Sequence, residues 1–162
     1  MGESAKTRHL NELLESFDTA MLITRHGDEC HARPMAVAGI DGPNTVWFVT
    51  SIDSPKVEEI RKDARVSATF QESRKFIGLS GTAEIVQDRG RIDAMWKETW
   101  KVWFPNGKED PSIALIRVNV EDAELWDNAG GKGVRYVYEA LKGLLSGQRP
   151  AEAPGQHERV RP

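Results

Sequence analysis

Two cations and a run of hydroxyls carry the strongest chemical signal in this chain. Thr50-Ser51-Ile52-Asp53-Ser54-Pro55-Lys56 sets hydroxyls and an ammonium where a strand end runs into a helix start. Ser54 suits an N-cap and Pro55 the first helical position. Backbone N–H groups at a helix start, together with the helix dipole, favour an anion, and Lys56 adds a full positive charge. A phosphate cradle fits this pattern. So does an ordinary N-cap beside a surface lysine, and on residue types alone that is the commoner arrangement. Arg33 is the second cation. It alternates with Met35 and Val37 on one strand face, with Ala32, Pro34, Ala36 and Ala38 on the other. Small side chains let a backbone approach a flat ligand, and a guanidinium can clamp phosphate in a bidentate way. Alone, Arg33 also fits an exposed strand arginine.

Other residues give weaker signals. The chain has five tryptophans: Trp47 in a strand, Trp96, Trp100 and Trp103 on or just after one helix, and Trp126 beyond a late strand. Such side chains pack in cores, on ring systems or in interfaces; core packing is expected for Trp47 and Trp96. Asn128-Ala129-Gly130-Gly131-Lys132-Gly133 lacks the leading glycine spacing and the Lys-Ser/Thr pair of a phosphate-binding P-loop. His26 and His31 flank Cys30 without a metal-ligand spacing, and read as a surface hairpin. No metal is expected. The acidic pairs Glu58-Glu59 and Glu109-Asp110 read as solvated surface. No residue stands out as catalytic.

The elements that must position these groups follow from periodicity. Leu10, Leu13, Leu14 and Phe17 mark one face of a helix over residues 7–18. Strands are expected at residues 20–25, 30–40, 45–50, 65–71, 76–86 and 113–121. His26-Gly27-Asp28-Glu29 and Asp41-Gly42-Pro43-Asn44 read as turns. Pro34 cannot donate to a ladder, so its strand has an open edge or a bulge there. Helices are expected from Pro55 to about residue 64, over residues 89–101, and over residues 132–146. Residues 147–162 lack periodicity and read as a disordered tail. The fold class is α+β, a six-stranded antiparallel barrel with flanking helices, in one domain over residues 1–146.

Composition bounds the function. In 162 residues, 39% are hydrophobic and 29% charged, as in a soluble globular domain. The net charge of −3 gives no global field that would recruit nucleic acid or an anionic membrane. No apolar run is long enough to span a bilayer, and Met1-Gly2-Glu3-Ser4 carries no signal core, so the expected compartment is the cytoplasm. A single cysteine excludes an internal disulfide.

Taken in order, several segments resemble one family. Ala32-Arg33-Pro34-Met35-Ala36, Val46-Trp47-Phe48-Val49-Thr50-Ser51, Ser54-Pro55-Lys56, Val66-Ser67-Ala68-Thr69-Phe70 and Gly78-Leu79-Ser80-Gly81-Thr82-Ala83-Glu84 are similar to pyridoxamine 5′-phosphate oxidase-like proteins with an FMN-binding split barrel. The Trp-rich helix, Trp103-Phe104-Pro105, Gly107-Lys108, Asp110-Pro111 and Trp126-Asp127 resemble its general stress protein subgroup. The resemblance spans roughly residues 7–145 and implies a homodimer with a flavin, FMN or FAD, between two barrels. It implies that Arg33 and Lys56 bind the phosphate with Ser51 and Ser54. The backbone of Pro34, Met35 and Ala36 would then lie along the ring, with Thr50 near the ring or ribityl chain. The partner subunit's Trp126 would approach the flavin. Four functions stay open: a flavin-dependent oxidoreductase with a nicotinamide or other small-molecule reductant, a flavin-sequestering or sensing protein, a pyridoxamine phosphate oxidase, and a cofactor-free interaction protein. The third is disfavoured, because the closing Arg159-Val160-Arg161-Pro162 is expected outside a strand, unlike the substrate-holding segment of true oxidases.

Overall fold

The computed structural model describes residues 5–42, 44–127 and 157–161. Six strands, β1 (Thr19–His26), β2 (Glu29–Asp41), β3 (Thr45–Ser51), β4 (Arg65–Glu72), β5 (Lys75–Val86) and β6 (Ile113–Asp127), run in the order β3-β2-β1-β4-β5-β6. A β3–β6 pairing closes them into a barrel, and every pairing is antiparallel. Alternation builds its interior. Leu22 of β1, Val66, Ala68 and Phe70 of β4, and Ile77 and Leu79 of β5 point into one buried cluster. Helix α1 (Ala5–Leu14) adds Leu10, Leu13 and Leu14 to that cluster, followed by Phe17. It ends at Leu14, and the turn after it keeps Phe17 inward, edge-on to Phe70 at 5.5 Å between centroids.

β3 is buried on both faces. Val46 and Phe48 enter the barrel, while Trp47 and Val49 join a second cluster outside it with Ile92, Trp100 and Phe104. That outer layer comes from α3 (Arg89–Met95) and a 3-10 turn (Glu98–Val102). The single helix expected over residues 89–101 therefore breaks at Trp96, whose backbone is extended (φ −51°, ψ 133°). The Lys97 ammonium donates to the Val37 carbonyl at 3.2 Å, pinning the break against β2. Trp100 is 1% exposed, and Trp96 packs edge-on to it at 5.6 Å.

Two local features shape the barrel. β2 pairs with β1 from Glu29 to Ala36 but with β3 only from Val37 onward, with a bulge between Val37 and Gly39. Pro34 therefore sits on an edge of β2 with no strand beside it, and β2 and β3 splay apart at that end. On β6, a bulge leaves Glu121 without a partner opposite Ser80/Gly81.

The chain's end needs a correction. Strand β7 (His157–Val160) pairs with β6 from Ala123 to Trp126, beyond the point where β3 leaves that edge. Val160 is buried in the barrel cluster, and the Arg159 guanidinium binds the Asp122 carboxylate at 2.7 and 3.0 Å. A buried aliphatic and a charge pair give these residues a strand where a tail without structure was expected, so Arg159 and Val160 lie in a strand and Arg161 directly follows it. β6 likewise runs to Asp127, past its expected end near residue 121. The helix expected over residues 132–146, the glycine run before it and residues 147–156 of the tail lie outside the described residues.

Candidate functional site

The splay between β2 and β3 opens a pocket of about 320 Å³. The apolar wall comes from Met35 and Ala36 of β2, Val49 of β3, and Trp103 and Phe104 after the 3-10 turn. The polar end comes from Thr50, Ser51, Ser54, Lys56 and Ser112. Seven residues singled out in the sequence, Pro34, Met35, Ala36, Thr50, Ser51, Ser54 and Lys56, thus line a single cavity.

Helix α2 (Pro55–Lys62) starts at the polar end. Ser54 holds the N-cap position with extended backbone, yet its hydroxyl makes no capping bond. It lies 3.1 Å from Thr50 Oγ1, which also accepts from Lys56 Nζ at 3.1 Å. The ordinary N-cap role is not the one this hydroxyl plays. It is turned instead toward a cluster of two hydroxyls and an ammonium on the pocket wall.

Arg33 is not on that wall. Its guanidinium donates to Thr24 Oγ1 at 2.6 Å and reaches Glu59 Oε2 at 3.4 Å. Thr24 in turn donates to Glu59 Oε2 at 2.5 Å, and His31 Nδ1 lies 3.0 Å from Glu59 Oε1. Glu59 is 7% exposed, so its reading as solvated surface is corrected. On α2, Glu58 turns outward to Arg61, while Glu59 faces the barrel rim beside Val57 and Ile60. Burial pushes the Glu59 carboxyl up, but hydrogen bonds from Thr24 and His31 and the charges of Arg33 and His31 outweigh it, leaving the group at about 2. Lys56 moves down from its usual value. Burial is the main cause and the charge of Arg33 the next, with Glu59 offsetting part of both. The two cations therefore share one electrostatic neighbourhood, in which Glu59 is the compensating carboxylate.

Trp126 is elsewhere on the chain. It lies opposite Phe76 on β5 and lines a shallow depression with Thr69, Gly78 and Glu124. The histidines flanking Cys30 stack on each other at 5.2 Å, and among the described residues no cluster of ligating side chains suits a metal. Sequence reasoning missed Glu59, Trp103 and Phe104. An aromatic just beyond the expected helix was the one available signal for Trp103.

Comparison with known proteins supplies the family. The description "Pyridoxamine 5'-phosphate oxidase like" matches residues 5–151. The chain belongs to this family. One member-like relative is a general stress FMN/FAD binding protein from the phytopathogen Xanthomonas citri. It is 30% identical with a TM-score of 0.66, covering 76% of this chain and 92% of that one. A putative general stress protein 26 from Jannaschia sp. CCS1 shares the fold over 98% of this chain and 99% of its own (TM-score 0.70, 24% identity). Protein bli-3 of Neurospora crassa is 27% identical over 159 residues, covering 88% of this chain and 74% of that protein. The general stress proteins are thus the family branch this chain is similar to, and the one from Xanthomonas citri is named for binding FMN/FAD.

Proposed function

We propose that this chain binds FMN in the β2–β3 pocket, as a homodimer in the cytoplasm. One observation carries the reading: a half-buried ammonium, Lys56, lies among Thr50 and Ser54 hydroxyls, with its pKa held down by burial and by Arg33. Such a group is stabilised by a dianion. Lys56, Ser51 and Ser54 would hold the phosphate, with Arg33 adding its charge from behind Thr24. Pro34, Met35 and Ala36 present the open edge of β2 to a flat ring. Trp126, remote from the pocket of its own subunit, is left to serve the pocket of the other. The Xanthomonas citri relative, named an FMN/FAD binding protein, supports the same class of ligand.

Bound flavin supplies redox chemistry at its ring; the protein binds it, orients it and shields it from water. Among the described residues lining the pocket, Lys56 alone titrates.

The test is titration of the purified protein with FMN, FAD and riboflavin, read by flavin absorbance, with mass measured by light scattering. Tight FMN binding by a dimer supports the reading. Equal affinity for riboflavin removes the phosphate site. Anaerobic addition of NADH or NADPH to the loaded protein then separates two forms of the function. Bleaching of the flavin band marks a reductase, and no bleaching marks a sequestering or sensing protein.

A further inference from the structure

Trp103 is the one large exposed apolar side chain, among those described, that lines the β2–β3 pocket: it is 60% exposed, whereas Trp100 and Phe104 on either side are buried. Its backbone is fixed. The amide N–H groups of Trp103 and Phe104 both donate to the Trp100 carbonyl, at 3.0 and 2.9 Å, and Gly107 N–H donates to the Phe104 carbonyl at 2.9 Å. Trp100 and Phe104 turn into the outer cluster, and Lys97 ties the same segment to the Val37 bulge. The segment is thus anchored on both sides of a residue whose indole meets no core. An indole left in water forgoes a large burial gain. It lines the same pocket as Met35, Val49 and the cluster of Thr50, Ser54 and Lys56.

We infer that Trp103 is a ring-stacking residue of this site, covering the planar ring of a ligand whose phosphate is held at Lys56. The inference rests on the flavin reading above and extends it. Indole and phosphate grip act on different parts of the ligand, so they separate experimentally.

FMN and riboflavin are titrated into the full chain and its Trp103→Ala, Trp103→Phe and Val102→Ala variants, following quenching of flavin emission. Thermal melts confirm that each variant is folded. Trp103→Ala is expected to weaken FMN and riboflavin by the same factor, roughly tenfold. Trp103→Phe should retain most of the affinity while recovering part of the flavin emission. Val102→Ala, whose side chain does not line the pocket, should match the wild type. Wild-type affinity and quenching in folded Trp103→Ala would overturn the stacking role and leave flavin binding intact. Loss confined to FMN would also overturn it, placing Trp103 at the phosphate instead. Failure of the wild type to bind either flavin would end the flavin reading and this role with it.

Discussion

Arg33 on β2 and Glu59 on α2 meet across the barrel rim, guanidinium to carboxylate at 3.4 Å, with the Thr24 hydroxyl bonded to both. The arginine is thereby held in place behind the pocket wall, while Lys56, one turn earlier on α2, stands on it. The two cations have different parts. On the proposed reading Lys56→Ala removes a direct charge-assisted contact, and FMN binding is expected to weaken by ~1.5–3 kcal/mol. Arg33→Ala removes charge and the strut behind Thr24, with a loss of the same sign. Riboflavin, lacking the phosphate, should respond little to either variant. Fluorescence titration of both ligands checks this, and equal losses for both would refute the assignment.

Binding should depend on pH through Lys56. Burial and Arg33 hold its folded pKa below the usual lysine value. A bound dianion raises it again, so complex formation takes up a proton wherever the pH lies between the two values. FMN affinity is therefore highest below the lowered pKa and falls as the pH rises through it. Riboflavin controls for titration of the ring itself. Titrations from neutral to alkaline pH should show the slope for FMN in the wild type and none in Lys56→Met.

Glu59 links the site to acid stability. Its folded pKa of about 2 lies below the usual glutamate value of 4.5. The ionised group therefore contributes stability that is fully present above pH 4.5 and is lost as the pH falls toward 2. Glu59→Gln should cost about 1–3 kcal/mol near neutrality, since Thr24, His31 and Arg33 lose a charged partner. Urea melts at pH 7 and pH 3 should show the gap between wild type and variant narrowing at the lower pH. A constant gap would mean that the carboxylate's charge is not what matters.

Much of this was legible in the residues, and what was not has physical reasons. Alternation along β5 marked that strand because one face is buried and the other is not, whereas the burial alternation of β1 is hidden in the continuous apolar run from Ala20 to Ile23. The continuous apolar run of β3 reflects burial on two faces, which one-sided alternation does not describe. Glu59 was hidden because a carboxylate's burial depends on partners from other elements, here Thr24, His31 and Arg33, that no local pattern reveals. β7 was hidden for a similar reason. Val160 is a lone apolar residue in a polar stretch, and its strand exists only because β3 leaves an edge of β6 unpaired. The pocket residues Pro34, Met35, Ala36, Thr50, Ser51, Ser54 and Lys56 were identifiable in the sequence. The splay that brings them together follows from the β2 bulge between Val37 and Gly39, and Pro34 was its mark in the sequence.

Among the described glycines, Gly81 leaves the least room for a side chain. Here β5 crosses the β6 bulge, and a Cβ built on Gly81 would collide with the carbonyl of Asn119 and crowd Val120. The obstacle is backbone in a paired strand, so no side chain can swing aside to relieve it. The residue's own φ is unexceptional, so the demand is for space and not for a left-handed conformation. Gly81→Ala must then push β5 off β6 or open the bulge, at a cost of about 1–3 kcal/mol. Gly78 provides the control. It lies on the same strand, three residues earlier, with open space where its Cβ would be. Thermal melts of the two alanine variants should separate clearly, with Gly81→Ala several degrees lower and Gly78→Ala close to wild type. Equal melting temperatures would mean that the bulge relaxes freely, and that the close approach at Gly81 does not constrain the β5–β6 seam.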